Sequence, residues 1–225
     1  MVHVMDMGMA FYVGVGHAVH HVMQSYLSQS GKFLANYKCH ECGTVHKLSH
    51  TIECCGFPTE YDEIDLDING IQGHIDAVFQ DANGDYWILD FKTTSLAASK
   101  DKAKRPPSGY TRQVRAYAYL LYKQHKIKVK GLMLVFIPRD NPREPTVWEY
   151  RIRSDEKFLD FKRELLDDKR LHRKTMLAST IEEMKPLLLN NCGGEYCNAC
   201  KMPLKEKLAL MMKYIKQDKF PIQKQ

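Results

Sequence analysis

Apolar residues along this chain recur at two spacings, one helical and one strand-like, and the switches between them outline its elements. From Gly16 onward, Val19, Val22, Met23, Tyr26 and Leu27 fall at helical spacing and predict a helix with that set as its buried stripe. Residues 61–68 read as a strand. Two apolar-rich runs, 75–79 and 86–91, flank Asp81-Ala82-Asn83-Gly84-Asp85. An Asn-Gly pair between such runs predicts a β-hairpin. Residues 100–107, rich in Lys, Arg and Pro, read as a surface loop or short helix. Tyr117, Leu120 and Leu121 mark the core side of an amphipathic helix. The near-continuous apolar run 131–137 predicts a buried central strand, and 147–152 alternates as a further one. Residues 155–178 read as a charged amphipathic helix with Phe158, Leu159, Phe161, Leu165 and Leu166 on its buried side, followed by a short helix over 181–189. This order fits an α/β fold, a mixed central sheet flanked by helices.

Composition narrows the picture modestly. A chain of 225 residues, 44% apolar, holds one substantial domain plus a small accessory module. The net charge of +6 suits a nucleic-acid partner without requiring one. No apolar run approaches the length that spans a bilayer, so no membrane partner is expected. No basic stretch followed by a long apolar core opens the chain, so no secretory signal is expected.

The chemistry concentrates around the hairpin. Asp76 precedes it, and Asp90-Phe91-Lys92 ends its second strand. Side chains alternate along a strand, so Asp90 and Lys92 share a face, and the hairpin can bring Asp76 beside it. Two carboxylates and an ammonium at one spot suit a hard cation, Mg²⁺ or Mn²⁺. The lysine can neutralise developing negative charge or help orient a water.

That constellation resembles the PD-(D/E)XK nuclease superfamily, and more closely its RecB-like branch, which runs Asp, hairpin, Asp/Glu-x-Lys. Ile75 stands where the superfamily's name has Pro. Upstream, Gly16-His17-Ala18-Val19-His20 resembles the branch's Gly with a His four residues on, early in a helix near the metal. His20 takes that place, with His17 and His21 as neighbours. Downstream, Gln113-Val114-Arg115-Ala116-Tyr117 is similar to the branch's Gln-x-x-x-Tyr, two residues on one helical face. The order of these motifs carries the resemblance across roughly residues 14–125. It implies a restriction-endonuclease-like core, with a single nuclease domain over 1–225. It also implies Asp76, Asp90 and His20 as ligands of one or two Mg²⁺ or Mn²⁺ ions, with the Phe91 carbonyl as an extra ligand. Lys92 would act on the water or the phosphorane-like charge, and Gln113 and Tyr117 would position the strand. Glu60 and Glu63 lie upstream, where a Glu sometimes supports the site in this family, and neither is assigned a catalytic role.

Seven cysteines fall in two groups. An odd count with Cys-x-x-Cys spacing argues for metal binding in a reducing compartment rather than a disulfide framework. Cys39-His40-Glu41-Cys42-Gly43 with Cys54-Cys55-Gly56 resembles a zinc ribbon within an insert over 37–58. Adjacent residues rarely ligate one ion comfortably, so His46 or His50 is a candidate fourth ligand, leaving Cys54 or Cys55 free. Some RecB-like phage nucleases carry a similar insert. Cys192, Cys197 and Cys200, in a segment over 190–203, resemble the three C-terminal cysteines of the iron–sulfur nucleases of this branch, the CRISPR-associated ones among them, which hold a [4Fe–4S] cluster. The upstream cysteine that normally completes the cluster is missing before the His20 helix. Two four-cysteine sites need eight thiolates. With seven, one site uses a histidine, lacks a ligand, or shares with the other. A mixed Cys/His ribbon plus a cluster is the favoured expectation, with zinc at both as the competitor.

The resemblance implies a metal-dependent deoxyribonuclease, an exonuclease on DNA ends or single strands, in recombination, repair or phage DNA processing. A recombination or replication protein is an expected partner, and the cytoplasm of a bacterial or phage-infected cell the expected location. Two other readings remain: a DNA- or protein-binding module on the same fold with an inert site, and a structure-specific endonuclease.

Overall fold

A computed structural model describes residues 7–68 and 71–177. In chain order its elements are helix α1 (Met7–Ser28) and strands β1 (Phe33–Lys38), β2 (Val45–Ser49), β3 (Glu53–Cys54), β4 (Phe57–Pro58), β5 (Glu60–Asp62), β6 (Ile64–Ile68), β7 (Ile71–Ile75), β8 (Ala77–Gln80) and β9 (Tyr86–Thr94). Helices α2 (Leu96–Lys104) and α3 (Ser108–His125), strands β10 (Gly131–Pro138) and β11 (Thr146–Arg151), and helix α4 (Asp155–Leu177) complete it. One compact unit ends at Lys162. A second begins at Arg163, and only residues 163–177 of it, the later part of α4, are described. The expected helix over 181–189 and the segment over 190–203 lie outside the described residues. Among the described residues, no helix is long and apolar enough to cross a membrane.

The main sheet runs β11-β10-β9-β8-β1-β2, with β5 also paired to β1. The Asn83-Gly84 turn closes the β8–β9 hairpin as expected, with Gly84 at φ +82°, a conformation glycine adopts without a Cβ clash. β9 and β10 are parallel, and a parallel pair needs a long crossover, here α2 and α3. β10 lies between β9 and β11, and Leu132, Leu134 and Phe136 are wholly buried, which explains its unbroken apolar run. Ser95 caps α2, its side chain accepting from the Ala98 N–H, so the Lys-rich stretch after Lys92 is largely helical. On α3, Val114, Ala118, Leu120 and Leu121 are buried, and the helix packs on β6, β9 and β10.

Four expectations change. The strand over 61–68 is broken at Glu63 into β5, which joins the main sheet, and β6, which pairs only with β7. The run 75–79 is likewise broken at Asp76, where the chain passes from the small sheet to the large one. α1 begins well before Gly16, and its inward face is turned. Val19, Met23 and Leu27 pack on Phe91, Ala77 and Ile137, but Val22 and Tyr26 are 65% and 72% exposed. Each helical residue turns about 100°. Facing His20 and Gln24 inward therefore swings Val22 and Tyr26 out. On α4, Phe158 and Phe161 are buried but Leu159 is exposed.

At the start of β10, Gly131 lies against the buried indole of Trp87 on β9, and a Cβ there would enter the ring. The ring is pinned by its Nε1–H, which donates to Asp81 at 3.0 Å, and by the Arg151 guanidinium 5.2 Å from its centroid. Gly131→Ala is therefore expected to destabilise the fold by about 1–3 kcal/mol, the usual cost of overpacking. Urea unfolding checks this, and a neutral result would mean that the indole moves freely.

Candidate active site

The break at Asp76 builds the site. Its main chain is held by the Tyr61 hydroxyl, which donates to the Asp76 carbonyl at 2.7 Å. Its side chain turns toward β9, where Oδ2 accepts from the Phe91 N–H at 2.7 Å. On β9, Leu89 and Phe91 point into the core beneath α1, while Asp90 and Lys92 share the opposite parity. Lys92 Nζ lies 2.6 Å from Asp90 Oδ2 as an ion pair, and 5.1 Å from the centroid of the Tyr110 ring. From α1, His20 Nε2–H donates to the Phe91 carbonyl at 2.8 Å. That bond leaves Nδ1 facing Asp76 Oδ1 at 3.6 Å.

One cavity of about 990 Å³ is lined by His20, Asp76, Asp90, Phe91, Lys92, Gln113 and Tyr117, the whole of the motif-based set. His17, Tyr110, Arg139 and Glu63 line it too. Gln113 Nε2 donates to the Tyr117 hydroxyl at 2.7 Å, so the phenolic proton remains free to donate elsewhere. The Phe91 carbonyl is engaged by His20 but keeps a second lone pair.

Both aspartates are buried. Burial, with Asp90 nearby, raises the Asp76 carboxyl from its ordinary range to about 6, against the opposing pull of His20 and the Phe91 N–H. Burial also raises Asp90, with Lys92 opposing. Asp90 Oδ2 is buried and faces the Lys92 ammonium at 2.6 Å. Two buried carboxylates beside an imidazole and a carbonyl are a donor set that fits a hard divalent cation.

The carboxylate that sequence reasoning left unassigned is Glu63. Ligand atoms of His20, Glu63 and Asp76 lie within 4.8 Å of one another, a set that does not include Asp90. The signal was weak, because Glu63 sits where β5 breaks from β6, and only the break turns it to the cavity.

The first cysteine group comes together, with four sulfurs where a mixed Cys/His set is the favoured expectation. Cys39, Cys42, Cys54 and Cys55 converge, their sulfurs within 4.8 Å of one another, and neither His46 nor His50 joins them. Adjacent Cys54 and Cys55 both face the group because Cys55 and Gly56 have φ of +55° and +80° at the tip of the β3–β4 hairpin, which bends the chain around the centre. The Cys42–Cys54 and Cys54–Cys55 sulfur separations are both 3.8 Å. A tetrahedral ion with bonds of about 2.3 Å spaces its ligands by roughly that amount. The nearby Thr44 hydroxyl draws the Cys42 thiol down to about 6, while burial and the neighbouring sulfurs push Cys54 up to about 12. Cys192, Cys197 and Cys200 lie outside the described residues.

A family model of the PD-(D/E)XK nuclease superfamily matches residues 45–203. The chain belongs to that superfamily, whose members are metal-dependent nucleases. Among solved structures, one titled "Crystal structure of SSO0001" is 18% identical, with a TM-score of 0.31. The alignment covers 58% of this chain and 57% of that one. Comparison with curated proteins gives no match.

Gly73, on β7, permits the placement of Tyr117. A Cβ at Gly73 would stand 2.6 Å from Tyr117 Cε1. Gly73→Ala is expected to cost about 1–3 kcal/mol of stability, and much less when Tyr117→Ala has already removed the ring. Denaturant unfolding of the four proteins measures the coupling. Strictly additive losses would mean the methyl meets something else.

Proposed function

We infer that this chain is a Mg²⁺- or Mn²⁺-dependent deoxyribonuclease of RecB-like type, an exonuclease working from DNA ends or on single strands. The observation that carries the reading is the cavity itself, which gathers His20, Asp76, Asp90, the Phe91 carbonyl, Lys92, Gln113 and Tyr117 from four separate parts of the chain. His20, Asp76, Asp90 and the Phe91 carbonyl would hold the cation, which when bound lowers the pKa of a water and stabilises charge on phosphorus. Lys92 can then turn from Asp90 toward the phosphoryl oxygens, adding positive charge where negative charge grows. Gln113 donates to Tyr117, and Tyr117 donates to the substrate backbone, fixing the strand. Exonuclease action, and a setting in recombination, repair or phage DNA processing, follow from the motif resemblance alone.

Degradation of end-labelled linear and closed circular DNA in Mn²⁺ tests this. Wild type is expected to consume linear DNA and spare circles, and Asp90→Ala and Lys92→Ala to lose about a hundredfold or more in rate. Equal cutting of circles would point to an endonuclease. No metal-dependent cleavage would favour an inert binding module.

For the cysteines, we read Cys39, Cys42, Cys54 and Cys55 as a structural zinc site. These four use all but three of the chain's seven cysteines, so Cys192, Cys197 and Cys200 have no fourth cysteine for a [4Fe–4S] cluster. Elemental analysis is expected to show one zinc per chain lost in Cys55→Ser. An unchanged zinc content would reject this assignment, and an absorbance band near roughly 400 nm that disappears in Cys197→Ser would place iron–sulfur at the tail.

A further inference from the structure

We propose that Glu63 is a further ligand of the cavity's divalent cation, a carboxylate supplied by none of the catalytic motifs, and that Gln24 positions it. The inference rests on reading the cavity as a cation site. His20, Asp76 and Glu63 each present a ligand atom within 4.8 Å of the others, and all three line the cavity. Asp90, 1% exposed, adds a buried carboxylate to the same cavity, with the Lys92 ammonium as its ion-pair partner.

Glu63 is held in place at both main chain and side chain. Its N–H donates to Asp62 Oδ1 at 3.0 Å, and its carbonyl accepts from Asn36 Nδ2 at 2.8 Å. Gln24 Nε2 donates to Glu63 Oε1 at 2.6 Å. Gln24 follows His20 by four residues on α1, so one helical face presents both an imidazole and the amide that orients a carboxylate. A glutamine that donates leaves the carboxylate its charge, where a lysine would neutralise it. Groups that orient ligands in this way tune metal affinity strongly.

Mn²⁺ binding to the full-length, zinc-loaded protein, followed by the electron paramagnetic resonance of free Mn²⁺, tests this without reference to cleavage. Glu63→Gln is expected to weaken binding by about tenfold or more, and Gln24→Ala by about tenfold. Both should leave the melting temperature of the Mn²⁺-free protein nearly unchanged. Asp65→Asn, an exposed carboxylate paired with His74, should bind like wild type. Loss of binding in Asp76→Asn with normal binding in Glu63→Gln would overturn the role of Glu63 while leaving the cation site standing. Normal binding in both would overturn the cation site and this inference together. If Glu63→Gln melts early without Mn²⁺, Gln24→Ala decides: normal affinity there rejects the proposal.

Discussion

Asp76, at the break between β7 and β8, and Asp90, on β9, put two carboxylates in the protein interior, and much of the surrounding structure offsets that burial. Charge taken out of water is costly unless it is paired. Here the compensation is partial: one backbone N–H on Asp76, one ammonium on Asp90, and an imidazole 3.6 Å from Asp76. Burial raises the Asp76 carboxyl to about 6, so the cation-free fold holds its proton more tightly than the unfolded chain does. The stability this group contributes is then present at low pH and lost as the pH rises through that value. A divalent cation offsets the same penalty at neutral pH. In this sense the site is built for an ion before any substrate arrives.

Three parts of the chain serve this arrangement. α1 packs its apolar ridge on the face of the sheet opposite Asp90 and Lys92, and its polar flank reaches around with His20 and Gln24. The small β6–β7 sheet lies under α3, and the missing side chain at Gly73 lets Tyr117 settle over it toward the cavity. The cysteine-rich insert contributes at a distance. It departs from β1, turns through the β3–β4 hairpin and returns as β5. The residues that follow include Tyr61, which holds the Asp76 carbonyl, and Glu63. Four sulfurs around an ion would fix that excursion, since metal binding is folding energy for so small a module.

The motif residues were legible because each sits inside an element with a strong local signal. The Asn-Gly turn sets the β8–β9 register, with Ala77 opposite Leu89, and so brings Asp76 level with Asp90. Helical spacing alone places Gln113 under Tyr117. The errors came where two elements meet. Helical spacing groups the apolar residues of α1 as one stripe, yet Val22 and Tyr26 face solvent, because the helix is rotated to satisfy both a core and a cavity. Adjacent cysteines are incompatible with one ion on extended backbone, but the chain takes a left-handed turn at Cys55.

The sequence by itself determined the order of the elements, the hairpin, the buried central strand, and the chemistry of the residues that now line one cavity. Periodicity and turn propensity are local properties, readable over a few residues. Only the tertiary structure decided that Glu63 joins His20 and Asp76, and that four cysteines converge without a histidine. It also decided that a glycine on β7 makes room for a tyrosine on α3. Each of these depends on the path of the backbone between elements, which is set by packing of distant segments and leaves no period in the chain.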